Sequence, residues 1–474
     1  MEKRLIDLVR NGFEQSQTID EIKHTLIHHG YLEKDITSAI NEVSKSVKHE
    51  KVKKKRSLSK TFLTKEILDR IGYGFGAEQF INILFFHTGA SYFLIGIING
   101  IKALVSVFFS SFLTKYTETK SIDKKIIARS GIMFGFSFLL IAIARFIHSV
   151  PLFIVAVLLG AVSVVSHGNL YQKLISDVLR KEKRSETLRK IGYYGVFILG
   201  ISMLISGFLM DIFPAAGTPI TFLGKQFRVY GYLLAFEITA FAFIISGFTL
   251  SFVKEKPKQK VSISEEFHNF YFTLKHNTIK YLKNKTILIL LITATITGFT
   301  QTIGYSYYGL YIYQIFNSIY LKGFLNVATI FLVAALFSLV SPMVARKVSK
   351  KYGQVPMLVF GTTLLSIMPF TFYFNPTIYT IAAGTVLSII GASLVGLATG
   401  LVLGDIIRKT ERKIYYSTFS LIITIPYLIS IPIGSWIAET LGPRMLFLYL
   451  GILLLVIVAP LYFILLFIKR EAII

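Results

Sequence analysis

The sequence predicts an all-α membrane protein in which twelve transmembrane helices form two six-helix bundles, preceded by a small helical module. Three observations predict this fold: a high mean hydropathy, a series of long apolar segments, and a charged motif that occurs twice. Of the 474 residues, 53% are hydrophobic, and the mean hydropathy is +0.61. A helix needs about 20 apolar residues to cross the roughly 30 Å hydrocarbon core of a bilayer.

Residues 1–44 are predicted to form a cytoplasmic helical module. Thr18 and Glu21 have the spacing of a capping box, which predicts the start of a helix. Gly30 tolerates the left-handed conformation that ends many helices. This pattern is similar to that of three-helix ubiquitin-associated-like modules. The resemblance implies a protein partner of unknown identity for residues 1–44.

Residues 45–65 are predicted to form a basic linker. Residues 45–60 contain eight Lys or Arg residues and one acidic residue, Glu50. One interpretation is a solvated linker that helps to orient the first span. Another is a tether to anionic lipid, to which each basic residue near the surface contributes about 1 kcal/mol.

Twelve apolar segments follow the linker. The predicted spans lie near residues 71–89, 91–113, 126–147, 150–172, 190–211, 229–252, 286–309, 320–344, 355–375, 377–402, 414–436 and 445–468. They assign residues 66–252 to an N-terminal bundle and residues 286–470 to a C-terminal bundle. Residues 253–285 form a cytoplasmic linker, in which Ser262 and Glu265 have capping-box spacing. We expect an amphipathic helix there, lying at the membrane surface.

The positions of the basic residues predict the orientation. Of 51 Lys and Arg residues, the following fall at or near the predicted outer side: Arg145, Lys225, Arg228, Lys322 and Arg444. Lys102 lies within a span, and the remaining basic residues lie on the predicted inner side. Positive residues remain on the cytoplasmic side of membrane proteins. We therefore expect both termini in the cytoplasm, and the net charge of +25 requires no nucleic-acid partner. The many Ile, Lys, Tyr and Phe residues favour a plasma membrane.

Several functional classes find no support in the sequence. The chain has no cysteine, which excludes a thiolate nucleophile and a Cys-ligated metal. The phosphate-binding pattern G-x-x-x-x-G-K-[ST] and the metalloprotease pattern H-E-x-x-H do not occur. The sequence therefore predicts a protein that is not an enzyme, has no cofactor and no metal site, and draws no energy from ATP. An ion gradient or the substrate's own gradient would supply the energy.

The repeated motif reads Asp-x-x-Arg-Lys-x-x-Arg. Its first copy contains Asp177 and Arg184, and its second copy, 228 positions later, contains Asp405 and Arg412. Another related pair of segments starts at Ser110 and Ser341, 231 positions apart; the paired basic residues in these segments are Lys115 and Arg346. Each pair is separated by six predicted spans. This spacing predicts a duplicated six-helix unit, with both copies in the same orientation.

The twelve spans, the 6+6 repeat, the central linker and the repeated Asp-Arg motif resemble the major facilitator superfamily of secondary transporters. The resemblance covers about residues 65–470. It implies alternating access to a central cavity, with a cytoplasmic gate formed by Asp177, Arg184, Asp405, Arg412, Lys115 and Arg346. The family's usual acidic loop position is occupied by Thr114 and Ala345. The alternative is that the charges only orient the loops.

Two ionisable residues fall near the middle of predicted spans, Glu78 in the first and Lys102 in the second. Such groups are costly in a bilayer and usually face a cavity or a partner. By its location, Glu78 corresponds to the span-1 carboxylate that often handles protons in the resembled family. The hypothesis is that Glu78 and Lys102 serve proton coupling or line the cavity. The alternative is a static ion pair that joins two helices.

Thr297, Gln301 and Tyr305 are spaced at i, i+4 and i+8 on the seventh span, so they share one helix face. They are candidate substrate contacts, or they hydrogen-bond to a neighbouring helix. Arg145 and Glu237 lie towards the outer leaflet, where both can extend to the interface.

The tenth and eleventh spans contain residues that affect helix packing and shape. Gly396, Gly400 and Gly404 on the tenth span predict close helix contact. Pro426 and Pro432 predict kinks in the eleventh.

These residues together predict a secondary transporter of a small molecule, working as a monomer. Few fixed charges and many Phe, Tyr and Ile residues favour export of amphipathic compounds, with protons as the candidate coupling ion. One alternative is uptake of a neutral metabolite or sugar. An alternative of another class is a membrane-anchored sensor or scaffold that acts through residues 1–44.

Overall fold

The computed structural model describes residues 3–14, 19–116, 124–179, 181–222, 225–253, 278–279, 281–407 and 412–468. The chain divides into two compact units, Met1–Phe62 and Leu63–Ile474, called here the N-terminal unit and the membrane unit. The predicted amphipathic helix around residues 262–274 lies outside the described residues.

The N-terminal unit is built from α1 (Lys3–Glu14), α2 (Ile19–His28) and the first part of α3 (Glu33–Phe75). Gly30, with a φ of +82°, follows α2 and lets the chain turn into α3. The apolar residues of the three helices form one buried cluster: Leu5, Val9, Ile22, Leu26, Ile36, Ala39, Ile40 and Val43. Apolar side chains at helical spacing thus give this short segment a core of its own.

The membrane unit is built from successive helices. In the N-terminal half they are the end of α3, α4 (Glu78–His87), α5 (Tyr92–Tyr116), α6 (Lys124–Phe146), α7 (Val150–Val178), α8 (Lys181–Ile212) and α9 (Gly231–Thr249). A β-hairpin, β1 (Thr218–Phe222) with β2 (Lys225–Val229), joins α8 to α9. In the C-terminal half they are α10 (Lys285–Ile315), α11 (Gly323–Tyr352), α12 (Gln354–Phe374), α13 (Ile378–Ile406), α14 (Arg412–Thr424), α15 (Tyr427–Thr440), α16 (Pro443–Ile452) and α17 (Ala459–Ile464).

Many of these helices are suited to a bilayer. In the part of the chain that the structure describes, nine helices are long and apolar enough to cross a membrane, and a tenth span results if α14 and α15 count as one. Two predicted spans, 71–89 and 150–172, are absent from these ten. They correspond to the α3–α4 segment and to α7. The number twelve stays a prediction.

Two of the predicted spans are broken by identifiable residues. Between α3 and α4, a Cβ at Gly76 would lie 2.3 Å from the ring of Phe138, so only glycine permits this approach. Between α14 and α15 the chain bends by 40°, at Pro426. Pro432, in contrast, lies inside α15 without ending it. A proline bends a helix because it removes a backbone donor and its ring crowds the preceding turn.

The two halves contact each other along two pairs of helices. Helix α5 packs along α14 and α15, and α8 packs along α11, while α4 contacts α10. Glycines allow the close approach: Gly96 lies against Ser435, and Gly207 lies against the backbone of Phe324. We call the end where α5 and α11 begin the outer end and the opposite end the inner end, following the predicted orientation.

Two expectations about helix surfaces are wrong. Arg145 is 6% exposed and lies over the ring of Tyr232, so it does not extend to the interface. A Cβ at Gly396 or Gly400 would meet no atom within 4 Å, so these glycines make no close helix contact. Glycine spacing shows where a close approach is sterically allowed, whereas the neighbouring helix decides whether it occurs.

Candidate functional site

Glu78 and Lys102 meet in the N-terminal half of the membrane unit. The Lys102 ammonium donates to the carboxylate of Glu78 across the space between α4 and α5. Glu78 is the first residue of α4, because Gly76 and Ala77 interrupt the helix just before it. A carboxylate at this position is stabilised by the unpaired N–H groups of the first helical turn. The predicted pair therefore exists as a contact, and its role in transport stays a prediction.

The Glu78–Lys102 pair lines a cavity with a volume of about 210 Å³. The cavity walls come from α4, α5, α6 and α7 and are mainly apolar, with Phe134, Phe138 and Ile141 among them. The side chain of Glu78 is 52% exposed and that of Lys102 is 25% exposed. A charged pair on an apolar wall can bind the polar end of an amphipathic molecule while the rest of the molecule contacts the rings.

Thr297, Gln301 and Tyr305 line one cavity in the C-terminal half. It has a volume of about 40 Å³ and lies among α10, α12, α13 and the end of the chain. The helix places the three side chains on one face because their spacing is close to a whole number of turns. Ser388 adds another hydroxyl to the lining. The cavity thus offers hydroxyl and amide groups and two aromatic rings, with no formal charge among its described lining residues.

Thr297 differs from the neighbouring threonines of α10. Its hydroxyl is buried and has no hydrogen-bond partner among the described residues. The hydroxyls of Thr293 and Thr300, in contrast, donate to backbone carbonyls at 2.8 Å. A buried hydroxyl without a partner is destabilising unless something else binds it. For Thr297, the alternative of a hydrogen bond to a neighbouring helix therefore has no support in the described part of the chain.

Glu78 lines the first cavity and Tyr305 lines the second, and the two residues belong to helices that contact each other. Tyr305 on α10 is 41% exposed, and it lies close enough to Glu78 for the two groups to interact electrostatically. The contact between α4 and α10 explains this proximity, since each helix is the first complete helix of its half. The residues predicted for coupling and for substrate contact thus lie on the two facing sides of the interface between the halves.

The predicted gate residues lie at the inner end. Asp405 accepts a hydrogen bond of 2.9 Å from Gln354, which joins the end of α13 to the start of α12. Arg412 donates to the carbonyls of Gly404 and Ile407, at 2.6 and 3.2 Å, and so caps the end of α13. These contacts fall within one half. They fit the interpretation in which the charges orient loops, and the gate itself stays a prediction.

The remaining gate candidates make no described contact that tests their role. Arg184 on α8 and Arg346 on α11 are exposed. The side chains of Lys115 and Asp177 lie outside the described part of the chain, although their backbones belong to α5 and α7.

Sequence reasoning missed a buried charge cluster at the start of the membrane unit. Lys65 is 0% exposed and pairs with Asp69 at 2.5 Å, and the hydroxyl of Ser246 on α9 donates to the same carboxylate. The Lys65 ammonium also lies 3.8 Å from the ring centroid of Tyr171 on α7. The i, i+4 spacing of Lys65 and Asp69 is visible in the sequence. Its burial was hidden because the neighbouring residues resemble a solvated linker.

The outer end carries polar contacts between the halves. Tyr307 donates to the carbonyl of Tyr92 at 2.8 Å, and the Tyr92 hydroxyl donates to Gln314 at 2.9 Å. Further from that end, the side chain of Gln79 accepts from the backbone N–H of Gly309 at 3.0 Å. These bonds join α4 and α5 to α10, and the bonds of Tyr92 hold the halves together at the outer end.

The amino-acid sequence matches a known protein family. A sequence profile described as Major Facilitator Superfamily matches residues 72–353 and 306–473. No curated protein sequence matches the chain.

Solved structures match along most of the chain. The nucleoside transporter NupG has a TM-score of 0.66 and 11% identity, covering 87% of this chain and 100% of its own. A bacterial homologue of the iron transporter ferroportin, in an inward-facing state, has a TM-score of 0.62 and 14% identity, covering 86% of this chain and 98% of its own. A D-xylose-proton symporter has a TM-score of 0.57 and 12% identity, covering 87% and 98%. At these identities the likeness extends to the fold.

Proposed function

Because the chain belongs to the Major Facilitator Superfamily, we propose that it carries a small molecule across a membrane by alternating access. The family and the apolar helices make the chain a multi-pass membrane protein. Members of the family are transporters and not enzymes, so the expectation that this chain is not an enzyme is confirmed. In the proposed topology α3–α4 and α7 complete twelve spans, and both termini face the cytoplasm of a plasma-membrane protein.

One observation carries the proposal for the site: the Glu78–Lys102 pair and the row Thr297, Gln301 and Tyr305 lie on facing helices of the two halves. In the proposed cycle the substrate binds between these two surfaces. The halves then rock about it, so that the site is exposed to one side of the membrane at a time. The polar contacts at the outer end support a resting state that opens towards the inner end.

Proton coupling is proposed to act through Glu78. In the proposed cycle, uptake of a proton by Glu78 would weaken its pair with Lys102. Half exposure gives protons access from the cavity. The charge on Lys102 would then be free to interact with the substrate or with solvent. This exchange links the protonation of one residue to the occupancy of the cavity.

For the direction of transport we prefer export, and for the class of substrate we prefer amphipathic compounds. The Glu78 cavity presents a charged pair next to rings and branched aliphatic side chains, which suits a molecule with one polar end. Uptake of a neutral metabolite or sugar is the second candidate. It is favoured by the unpartnered hydroxyl of Thr297 and by the uncharged polar lining around it.

Flux in proteoliposomes tests the proposal. The full-length protein is reconstituted, a pH gradient is imposed, and uptake of fluorescent amphipathic cations and of labelled nucleosides and sugars is followed. We expect gradient-driven flux of an amphipathic compound, lost in Glu78→Gln and retained in Glu237→Gln, an exposed carboxylate on α9 that lines neither cavity. Absence of flux for every class would contradict transport, and unchanged flux in Glu78→Gln would exclude this residue from coupling.

The N-terminal unit is the basis of a further part of the proposal. Its three helices enclose a separate apolar cluster, and we infer that this unit binds a protein partner. Residues 45–65 would tether the unit to anionic lipid. The competing function, a sensor or scaffold anchored by the membrane unit, is tested below by deletion.

A further inference from the structure

Two carboxylates at the outer end bind the starts of helices in the opposite half. Asp211, next to the last residue of α8, accepts from the backbone N–H groups of Phe324 and Leu325 at 2.9 and 2.7 Å. Glu439, next to the last residue of α15, accepts from the backbone N–H of Phe93 at 2.9 Å. Each hydrogen bond joins the N-terminal half to the C-terminal half.

The two contacts are related by the sequence repeat. Asp211 and Glu439 are 228 positions apart, the same separation as Asp177 and Asp405 in the Asp-Arg motif. Phe93 and Phe324 are 231 positions apart, the same separation as Ser110 and Ser341. Phe324 is the second residue of α11, and Phe93 is the second residue of α5. The repeat offsets found at the inner end therefore relate the acceptor and donor positions at the outer end.

The chemistry of the contacts makes them sensitive to separation of the halves. The first N–H groups of a helix have no partner within the helix, and the helix dipole favours a negative charge beside them. Hydrogen bonds from N–H groups to a carboxylate are stronger than those to a neutral acceptor. When α8 moves away from α11, or α15 moves away from α5, the hydrogen bonds between the carboxylate and the backbone N–H groups break.

We propose that Asp211 and Glu439 form a duplicated outer latch, which holds the halves together at the outer end and releases when the transporter opens outward. The proposal rests on alternating access. The geometry makes the two contacts unequal: Asp211 is half-buried and accepts two hydrogen bonds, whereas Glu439 is exposed and accepts one. The Asp211 contact is therefore the stronger half of the latch.

The absence of cysteine from the chain makes the latch measurable. Ala328 lies one turn inside the Asp211 contact, and Ser435 lies one turn inside the Glu439 contact; both are 0% exposed. Ala328→Cys and Ser435→Cys are therefore reporters of outer opening. Gly396→Cys reports on the inner side, because Gly396 shares a helix face with the cavity residues Ser388 and Ala392 and has open space before it.

The experiment measures the rate at which each single-cysteine protein reacts with a charged maleimide in lipid nanodiscs, where both ends are accessible. We expect Asp211→Ala to raise the labelling rate of Ala328→Cys about tenfold. Glu439→Ala should raise that of Ser435→Cys about two- to fivefold, because an exposed contact contributes less. Both changes should lower the labelling rate of Gly396→Cys, since outward opening closes the inner side.

Control variants distinguish release of the latch from local damage to the structure. Glu237→Ala removes an exposed carboxylate from α9 and should leave all three labelling rates unchanged. Asp211→Asn keeps a hydrogen-bond acceptor and should have a smaller effect than Asp211→Ala, so it also serves if the alanine variant fails to fold. Labelling of the denatured protein gives the total cysteine, and size-exclusion chromatography confirms folding.

Two results would overturn the latch. One is an unchanged labelling rate of the outer reporters. The other is a rise in those rates without a fall at Gly396→Cys, which would show loosening of the outer end without a change of state. The readout requires no substrate, so its failure is distinct from failure of the transport proposal. A reciprocal labelling change with no flux for any substrate would support the latch and contradict transport.

Discussion

Glu78 and Thr297 are two residues whose polar groups are not fully satisfied by their surroundings. Glu78 is half exposed to a cavity although it pairs with Lys102, and Thr297 is buried with no partner for its hydroxyl among the described residues. Neither arrangement maximises stability, because packing alone would favour an apolar or a fully bonded side chain. At the scale of single residues, these two positions therefore carry the sharpest predictions.

We predict that substitutions of Glu78 and Lys102 affect stability and transport differently. Glu78→Gln leaves the Lys102 charge without its partner, so we expect a lower midpoint of thermal unfolding. Adding Lys102→Met removes that charge and should restore the midpoint. Transport driven by a pH gradient should be lost in both variants. Thermal unfolding of the detergent-solubilised protein and proteoliposome flux measure the two effects, and recovery of flux in the double variant would contradict a coupling role.

Thr297→Val predicts opposite effects on stability and binding. Valine has nearly the same shape and no hydroxyl, so the substitution removes an unsatisfied buried group and should stabilise the substrate-free protein by about 1 kcal/mol. Affinity for a transported compound should fall, because the compound loses a hydrogen-bond partner.

Thr293→Val is the matched control for Thr297→Val. The Thr293 hydroxyl already donates to a backbone carbonyl, so its loss should not stabilise the protein or change affinity. Thermal unfolding and titration of substrate-induced thermal shifts give the two quantities. Equal behaviour of the two variants would show that the Thr297 hydroxyl has no special role.

At the scale of elements, helix ends and breaks determine where functional groups lie. The interruption at Gly76 and Ala77 makes Glu78 the first residue of a helix, and the bend at Pro426 divides the helix that packs against α5. The start of the membrane unit is fastened by Lys65 and Asp69 to α7 and α9. These features fix the positions of helices relative to one another, which apolar packing alone specifies less well.

Asp69→Ala predicts a large loss of stability. The substitution breaks the ion pair between the buried ammonium of Lys65 and Asp69, and breaking a buried ion pair costs about 3 to 5 kcal/mol. The double variant Lys65→Met with Asp69→Leu replaces both charges with apolar groups and should recover most of that loss. Chemical or thermal unfolding of the purified protein measures both. If the double variant is as unstable as Asp69→Ala, the damage comes from lost packing and not from the broken ion pair.

We predict opposite effects on stability when either of two glycines is replaced by alanine. Gly76→Ala places a methyl group against Phe138 and should destabilise the protein by about 1 to 3 kcal/mol. Gly396→Ala adds a methyl group in open space inside α13 and should be neutral, or stabilising by up to about 1 kcal/mol. The midpoints of thermal unfolding provide the comparison. Similar midpoints for both variants would contradict the role assigned to the break between α3 and α4.

At the scale of the whole molecule, the division into two units predicts that transport is separable from the N-terminal unit. The candidate cavities and the contacts between the halves all belong to residues of the membrane unit. Deletion of residues 1–60 should therefore leave flux in proteoliposomes unchanged, while any interaction with a partner protein is lost. Loss of a cellular phenotype on deletion, together with no effect of Glu78→Gln, would instead support the sensor or scaffold function.

The sequence by itself determined the helical membrane class and the family, and its repeat spacing predicted a duplication, because hydropathy, span length and repeat spacing depend only on the order of residues along the chain. It also placed Thr297, Gln301 and Tyr305 on one face, since helix geometry converts their spacing into a common direction. Only the tertiary structure showed that Arg145 and Lys65 are buried and that Gly396 faces open space. The pairing of Asp211 and Glu439 with helix starts in the opposite half was likewise decided by packing. Contacts between distant segments depend on how helices approach in three dimensions, and local patterns do not encode that approach.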